Sequence, residues 1–385
     1  MPTATSPPGE NTSAALPAPP VPGRTTMARK LTMDRWMVGV VLLLTLFGLM
    51  MVYSSSVMLA LSRTDGSSTH YLFKQSLAAA LGLGLFYLAT RFDYRHLRHP
   101  VVIWLAMTLC LVLLGAVLLA GSRWLNFGGF SFQPSELTKL VLLIYLADYL
   151  VRKKDQVRDL RGFLLPCLAV LLGFCALIVM TPDLGTTVTI MLIALCLFFV
   201  AGVPKLYLAA MSAMGALGVL ALAWISPYRW ARLISFLHPE RDPQGAGYQA
   251  IQSLTAVGAG GVSGAGLGQS GQKLFFLPAA HTDFIYAVIG EELGLIGCLL
   301  LVAAFLVLLW RGTRIALRAP EPFGTYLAAG ITLSLVLQAF INMGVVLTLL
   351  PTKGLTLPFI SYGGSSLLVS LLAAGLALNV SQHET

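Results

Sequence analysis

The sequence predicts an all-α, polytopic membrane protein of ten transmembrane helices, with both termini cytoplasmic and a long periplasmic loop between spans seven and eight. Three observations predict it. Hydrophobic residues make up 57% of the chain and charged residues only 11%, against roughly a quarter charged in soluble domains. Apolar stretches of about 20 residues, the length that crosses a bilayer as helix, recur from Trp36 to Val380 with short polar breaks. Most of the 25 basic residues fall in alternate loops: Arg24, Arg29, Lys30 and Arg35; Arg91, Arg95 and Arg98; Arg152, Lys153, Lys154, Arg158 and Arg161; Lys205; Arg311, Arg314 and Arg318. The positive-inside rule assigns these loops and both termini to the cytoplasm, and an even span count returns the chain to its starting side.

In order, the spans run over roughly 37–60, 71–90, 101–120, 134–150, 163–181, 185–203, 207–226, 285–310, 324–349 and 364–380. Residues 1–35, rich in Pro, Ser, Thr and Ala with no apolar signal core, read as a disordered cytoplasmic tail. Residues 36–380 form one membrane domain, and 381–385 are a short cytoplasmic tail. The net charge of +9 is a topology signal and not a nucleic-acid patch. All five cysteines lie inside apolar runs as small hydrophobes, and no His/Cys spacing suggests a metal or redox centre.

Segments 121–133, 227–284 and 350–363 face outward in this topology. They hold much of the chain's glycine, proline and polar character. The stretch VGAGGVSGAGLGQSGQK (257–273) lacks a preceding strand and the Gly-Lys-Ser/Thr ending of a phosphate loop. It reads as flexible or re-entrant backbone at the membrane surface.

Ionisable residues beside or within spans are costly and therefore mark candidate sites. In FQPSELTKL (132–140), Glu136 and Lys139 share a helix face, as a structural ion pair or as substrate ligands. Arg123 and Trp124 suit a phosphate or sugar, or else anchor the interface. Asp183 in TPDLGTT stands where a helix cap is needed, and capping is favoured there over catalysis. Asp283 precedes a span, approached by His281, Lys273 and the glycine stretch, and either caps that span or does chemistry. Glu291 and Glu292 follow about 12 Å deeper, too far to act with Asp283 on one atom. PTKGLTLPFISYGGSS (351–366) supplies Lys353 for an anionic head group and Ser361 as a cavity-lining hydroxyl. A lone carboxylate among cations beside lipid suits a lipid-linked anionic substrate, for transfer or for transport alike.

The strings RWLNFGGFSFQPSELTKL, MTPDLGTT, LPAAHTDFIYAVIGEELGLIG and PTKGLTLPFISYGGSSLL resemble, in order, the signature segments of the SEDS family (shape, elongation, division and sporulation). The likeness spans about residues 36–380 and is greater to the family's cell-division branch than to its elongation branch. It implies a ten-span glycosyltransferase that polymerises lipid II into β-1,4 glycan during division, working with a class B penicillin-binding protein and other division membrane proteins. The family's catalytic aspartate carries over to Asp283, its conserved Glu and Lys to Glu136 and Lys139, its Arg-Trp to Arg123 and Trp124, and its Pro-Asp-Leu-Gly aspartate to Asp183. Ala280 departs from many relatives without touching the base. An α-linked donor and β-linked product imply inversion, with Asp283 deprotonating the acceptor hydroxyl. Lys and Arg side chains, with a divalent cation as the candidate cofactor, would steady the diphosphate. Glu291 and Glu292 are expected to hold neighbouring spans. A lipid II flippase and a non-catalytic division scaffold are the rival readings.

Overall fold

Hydrocarbon offers no partner to a backbone amide, so an apolar run must satisfy its own hydrogen bonds, and every predicted span is a helix. The computed structural model describes residues 33–63, 68–127, 130–245, 247–273, 276–351 and 354–383. Nearly all of the predicted N-terminal tail lies outside the described residues.

The helices are α1 (Arg35–Arg63), α2 (His70–Arg91), α3 (Pro100–Leu119), α4 (Pro134–Arg152), α5 (Leu165–Met180), α6 (Leu184–Val200), α7 (Lys205–Ile225), α8 (Pro227–Leu237), α9 (Tyr248–Gly260), α10 (Ile285–Arg318), α11 (Pro322–Val346) and α12 (Gly364–Ser381). Eight of the predicted spans are long and apolar enough to cross a membrane by length and composition. Of the other two, α6 has 17 residues, and α4 carries Glu136, Lys139, Asp148 and Arg152. A hairpin of β1 (Leu125–Phe127) and β2 (Phe130–Phe132), paired antiparallel, forms in the segment between α3 and α4, which the sequence presents only as a loop.

Helices α11 and α12 are buried on most sides, whereas α7 is exposed almost throughout. Small residues allow the close approaches at the centre. A Cβ on Gly375 of α12 would stand 2.6 Å from the carbonyl oxygen of Phe86 in α2. Beyond α12, His383 packs its ring against Tyr94 at 5.5 Å.

Charges that meet across helices must lie at one end of the bundle. Arg95 reaches Glu321 at 3.0 Å, Arg98 and Arg152 share Asp148, and Arg311 pairs with Asp34. All four arginines were assigned to one side by the sequence.

Within the segment 227–284, α8 and α9 are helical, and the glycine stretch continues past Gly260 as loop. Helix α8 carries Arg229 and Arg232 with Tyr228 and Trp230, and Trp230 meets Trp224 of α7 edge to face at 5.0 Å. The glycine stretch then docks into a break in α10. Gly294 has φ +65° and ψ −163°, which interrupts the helix. The freed backbone groups pair with the loop: Leu295 N–H donates to Gly261 O at 3.0 Å, Ala265 N–H to Glu291 O at 2.9 Å and Gly266 N–H to Glu292 O at 3.0 Å. A Cβ at Gly264 would lie 2.2 Å from Glu292 O, so only glycine permits this contact.

Candidate functional site

Asp283 sits in the turn before α10. The sequence leaves capping open for it, but Phe284 is the N-cap residue and no side chain caps that end. Among the described residues the Asp283 carboxylate accepts no hydrogen bond. It is half-buried. Burial pushes its pKa up to about 6, a rise that Arg123 and Arg232 oppose and Asp183 reinforces. With no hydrogen bond among the described residues, such a carboxylate is still basic near neutrality.

Its backbone is fixed with unusual completeness. Three successive carbonyls take three donors: Tyr362 N–H donates to His281 O at 2.9 Å, Ser361 Oγ to Thr282 O at 2.6 Å, and Asn342 Nδ2 to Asp283 O at 2.8 Å. Asn342 Nδ2 also donates to Leu355 O at 2.6 Å. Because both partners are acceptors, the amide nitrogen must face them. Gly354 leaves the carboxylate room, for a Cβ there would come 2.9 Å from Asp283 Oδ2. Ser361, expected to line the cavity, thus braces the loop, and it also accepts the N–H of Leu357 at 2.8 Å.

Asp183 caps α6, accepting the N–H of Thr186 at 3.1 Å. Its other oxygen accepts Gln133 Nε2 at 2.9 Å and Ser135 Oγ at 2.8 Å, which ties the starts of α4 and α6 together.

Glu136 and Lys139 form a buried pair at 2.9 Å. Lys139 also donates to Gln338 Oε1. Gln338 Nε2 donates onward to Thr356 O at 2.9 Å, and the Thr356 hydroxyl bonds Ser366 Oγ at 2.7 Å. The pair therefore anchors the segment that runs past Asp283.

Lys273 is spent elsewhere. Its ammonium pairs with buried Glu292 at 2.9 Å and with Gly268 O at 2.6 Å. Glu292 also accepts Ser54 Oγ of α1 at 2.6 Å, joining α1 to α10. Glu291 accepts the N–H of Gly271 at 2.8 Å and the hydroxyl of Ser270, so it holds a loop and not a neighbouring span. Lys353 lies outside the described residues.

A cavity of about 940 Å³, within the range of small-ligand sites, opens at Thr282, the residue before Asp283. Trp124, Asn126, Thr282 and Tyr362 line it, as do His70, Lys74 and Gln75 of α2. Gln75 is buried and clamps the loop, donating to Ser361 O at 3.1 Å and accepting the N–H of Gly363 at 3.2 Å.

Sequence reasoning missed Gln338 and Asn342. Their signal was two amides four residues apart on one face of an apolar span. The α2 residues gave no such signal, because Lys74 sits where an interfacial lysine is ordinary.

Among the described residues no three of His, Cys, Asp and Glu gather to hold a metal ion, and both oxygens of Asp183 are engaged.

The family described as Cell cycle protein (FTSW_RODA_SPOVE) matches residues 34–385. The chain belongs to this family. It is 46% identical over 345 residues to the probable peptidoglycan glycosyltransferase FtsW of Geobacter sulfurreducens (strain DL-1 / KN400), covering 88% of this chain and 92% of that protein. It is 42% identical over 365 residues to the stage V sporulation protein E of Bacillus subtilis (strain 168), covering 92% and 98%. Among solved structures it is similar to a chain of a peptidoglycan synthase complex that coordinates polymerization and crosslinking, with TM-score 0.73 and 31% identity over 91% of this chain and 98% of that one. It is also similar to the rod shape determining protein RodA of Thermus thermophilus, with TM-score 0.66 and 28% identity over 92% and 98%. The chain is thus a multi-pass membrane protein with the fold of that family.

Proposed function

We propose that this chain is a septal peptidoglycan glycosyltransferase that polymerises lipid II into β-1,4 glycan by inversion, with Asp283 as general base at the periplasmic face. The observation that carries the reading is Asp283 itself: a carboxylate that accepts no hydrogen bond among the described residues, with its pKa raised to about 6, on a loop of three braced carbonyls whose Thr282 lines a cavity of about 940 Å³. Asp283 takes the proton of the acceptor 4-hydroxyl as that oxygen attacks the anomeric carbon of the donor. The carbon–diphosphate bond breaks on the opposite face, and Arg123 and Arg232 stabilise the charge that develops on the leaving diphosphate. Trp124 offers an aromatic wall to a sugar ring. Glu136 and Lys139 act by holding the 354–366 segment in place. The kinship to a chain of a synthase complex supports a class B penicillin-binding protein as partner, with other division proteins around the pair at the septum.

A flippase needs a hydrated polar path through the bundle. The charges that would line one, Glu136, Lys139 and Asp183, are buried and matched with partners instead, which favours the polymerase. The test is purified lipid II supplied to the chain co-purified with its transpeptidase partner, with products resolved on a gel. Glycan ladders are expected; lipid translocation in proteoliposomes without ladders would overturn the reading.

Removal of Asn342 releases the carbonyls of Asp283 and Leu355 together. Asn342→Ala is expected to lower kcat on the order of tenfold or more with KM little changed, because the base loses its position while the cavity keeps its walls. Steady-state kinetics on the folded variant checks this, and a wild-type kcat would remove Asn342 from the catalytic arrangement.

A further inference from the structure

A polymerase of diphosphate-linked sugars handles two diphosphates at once. One leaves the donor, and the other stays on the acceptor. Resting on the function proposed above, we infer that Lys74 binds the second: the cavity lined by α2 seats the acceptor, with its intact diphosphate against this lysine.

Four observations carry the assignment. First, among the described residues the cations whose charge reaches Asp283 are Arg123 and Arg232. They serve the reacting end, where the leaving group departs. Second, Lys74 shares the cavity wall with Thr282, the neighbour of Asp283. An acceptor, whose attacking hydroxyl and own diphosphate lie at opposite ends of its sugars, would lie along that wall with its hydroxyl toward the Asp283 loop.

Third, the wall also carries what a saccharide needs, namely the aromatic faces of Trp124 and Tyr362 with the amide of Asn126 and the hydroxyl of Ser131. Fourth, Phe73 and Leu77 line the cavity beside Lys74 while 71% and 51% exposed. The Lys74 end is thus flanked by apolar surface of the kind that faces lipid, which is where a lipid-borne diphosphate would enter. Lys74 is exposed, and among the described residues it forms no ion pair.

The same pattern could arise from an ordinary interfacial lysine, and the experiment separates the two. Lipid II polymerisation by the chain with its transpeptidase partner is measured for wild type, Lys74→Ala, Lys74→Gln, Lys74→Arg and Asp283→Asn. Lipid II binding without turnover is measured on Asp283→Asn and on the Asp283→Asn, Lys74→Ala double variant.

The expected result is a KM about tenfold or more higher in Lys74→Ala and Lys74→Gln, kcat at saturation changed far less, and recovery in Lys74→Arg. The double variant binds lipid II more weakly than Asp283→Asn by a similar factor. Should Lys74→Ala fail to insert, Lys74→Gln, which keeps the stem, carries the test. An unchanged KM and unchanged binding overturn the assignment and leave Lys74 an interfacial anchor. A kcat that falls with KM constant also overturns it. If Asp283→Asn polymerises normally, the underlying function fails instead, whereas an inactive Asp283→Asn beside a wild-type Lys74→Ala refutes the lysine's role alone.

Discussion

Asp283→Asn is expected to lower kcat by about 10²–10⁴-fold, the range a positioned general base supplies, while KM changes little. The amide keeps the shape of the side chain and the three braced carbonyls behind it, but cannot accept the proton. Stability should move the other way. Burial disfavours the charged carboxylate and raises its folded pKa to about 6. The folded state therefore holds the Asp283 proton more tightly than the unfolded chain, and ionisation costs stability as pH rises from the ordinary carboxylate range through about 6. At neutral pH the neutral amide escapes that cost. A folded, inactive variant at least as stable as wild type is the signature of a group kept for chemistry at the expense of stability. A normal kcat in the folded variant would remove Asp283 from the reaction.

Glu292→Ala should produce the largest loss of stability. Glu292 is fully buried and meets Lys273 at 2.9 Å, whose side chain is also buried, while Ser54 of α1 donates to it at 2.6 Å. Truncation strands a largely buried ammonium, a change that costs about 3–5 kcal/mol when one partner of a buried pair is lost. It also frees α1 from the break in α10. A clear fall in the thermal midpoint of the purified protein is expected, with recovery in the Glu292→Leu, Lys273→Met double variant, which removes both charges. A midpoint within about 1 °C of wild type would mean that Lys273 is hydrated in solution, because surface pairs contribute little.

The spans were legible because hydrocarbon tolerates few alternatives to a long apolar helix. Even α4, whose four charged residues weaken its hydropathy, was readable from the apolar residues around them. The Glu136–Lys139 pair was legible too, since residues three apart share a face. Its continuation through Gln338 to Thr356 and Ser366 depends on how α4, α11 and α12 pack, and that packing leaves no local pattern.

The same limit explains Lys273. Its neighbours in sequence suggested a free cation near Asp283, but the docking of residues 261–266 into the break at Gly294 brings it to Glu292 instead. That break is set by hydrogen bonds between residues some 30 positions apart. The internal helices of 227–284 were missed for a different reason: the glycine-rich stretch dominated the reading, while the Arg and Trp spacing of α8 already marked an interfacial helix.

The most direct test of Asp283 as the base is the pH dependence of kcat/KM for lipid II polymerisation. The base must be ionised to act, so activity should hold at neutral pH and fall as pH drops through about 6, with Arg123, Arg232 and Asp183 setting where the limb lies. A single acid limb near that value is the predicted result. A rate that stays flat down to the ordinary carboxylate range near 4 would contradict Asp283 as the proton acceptor.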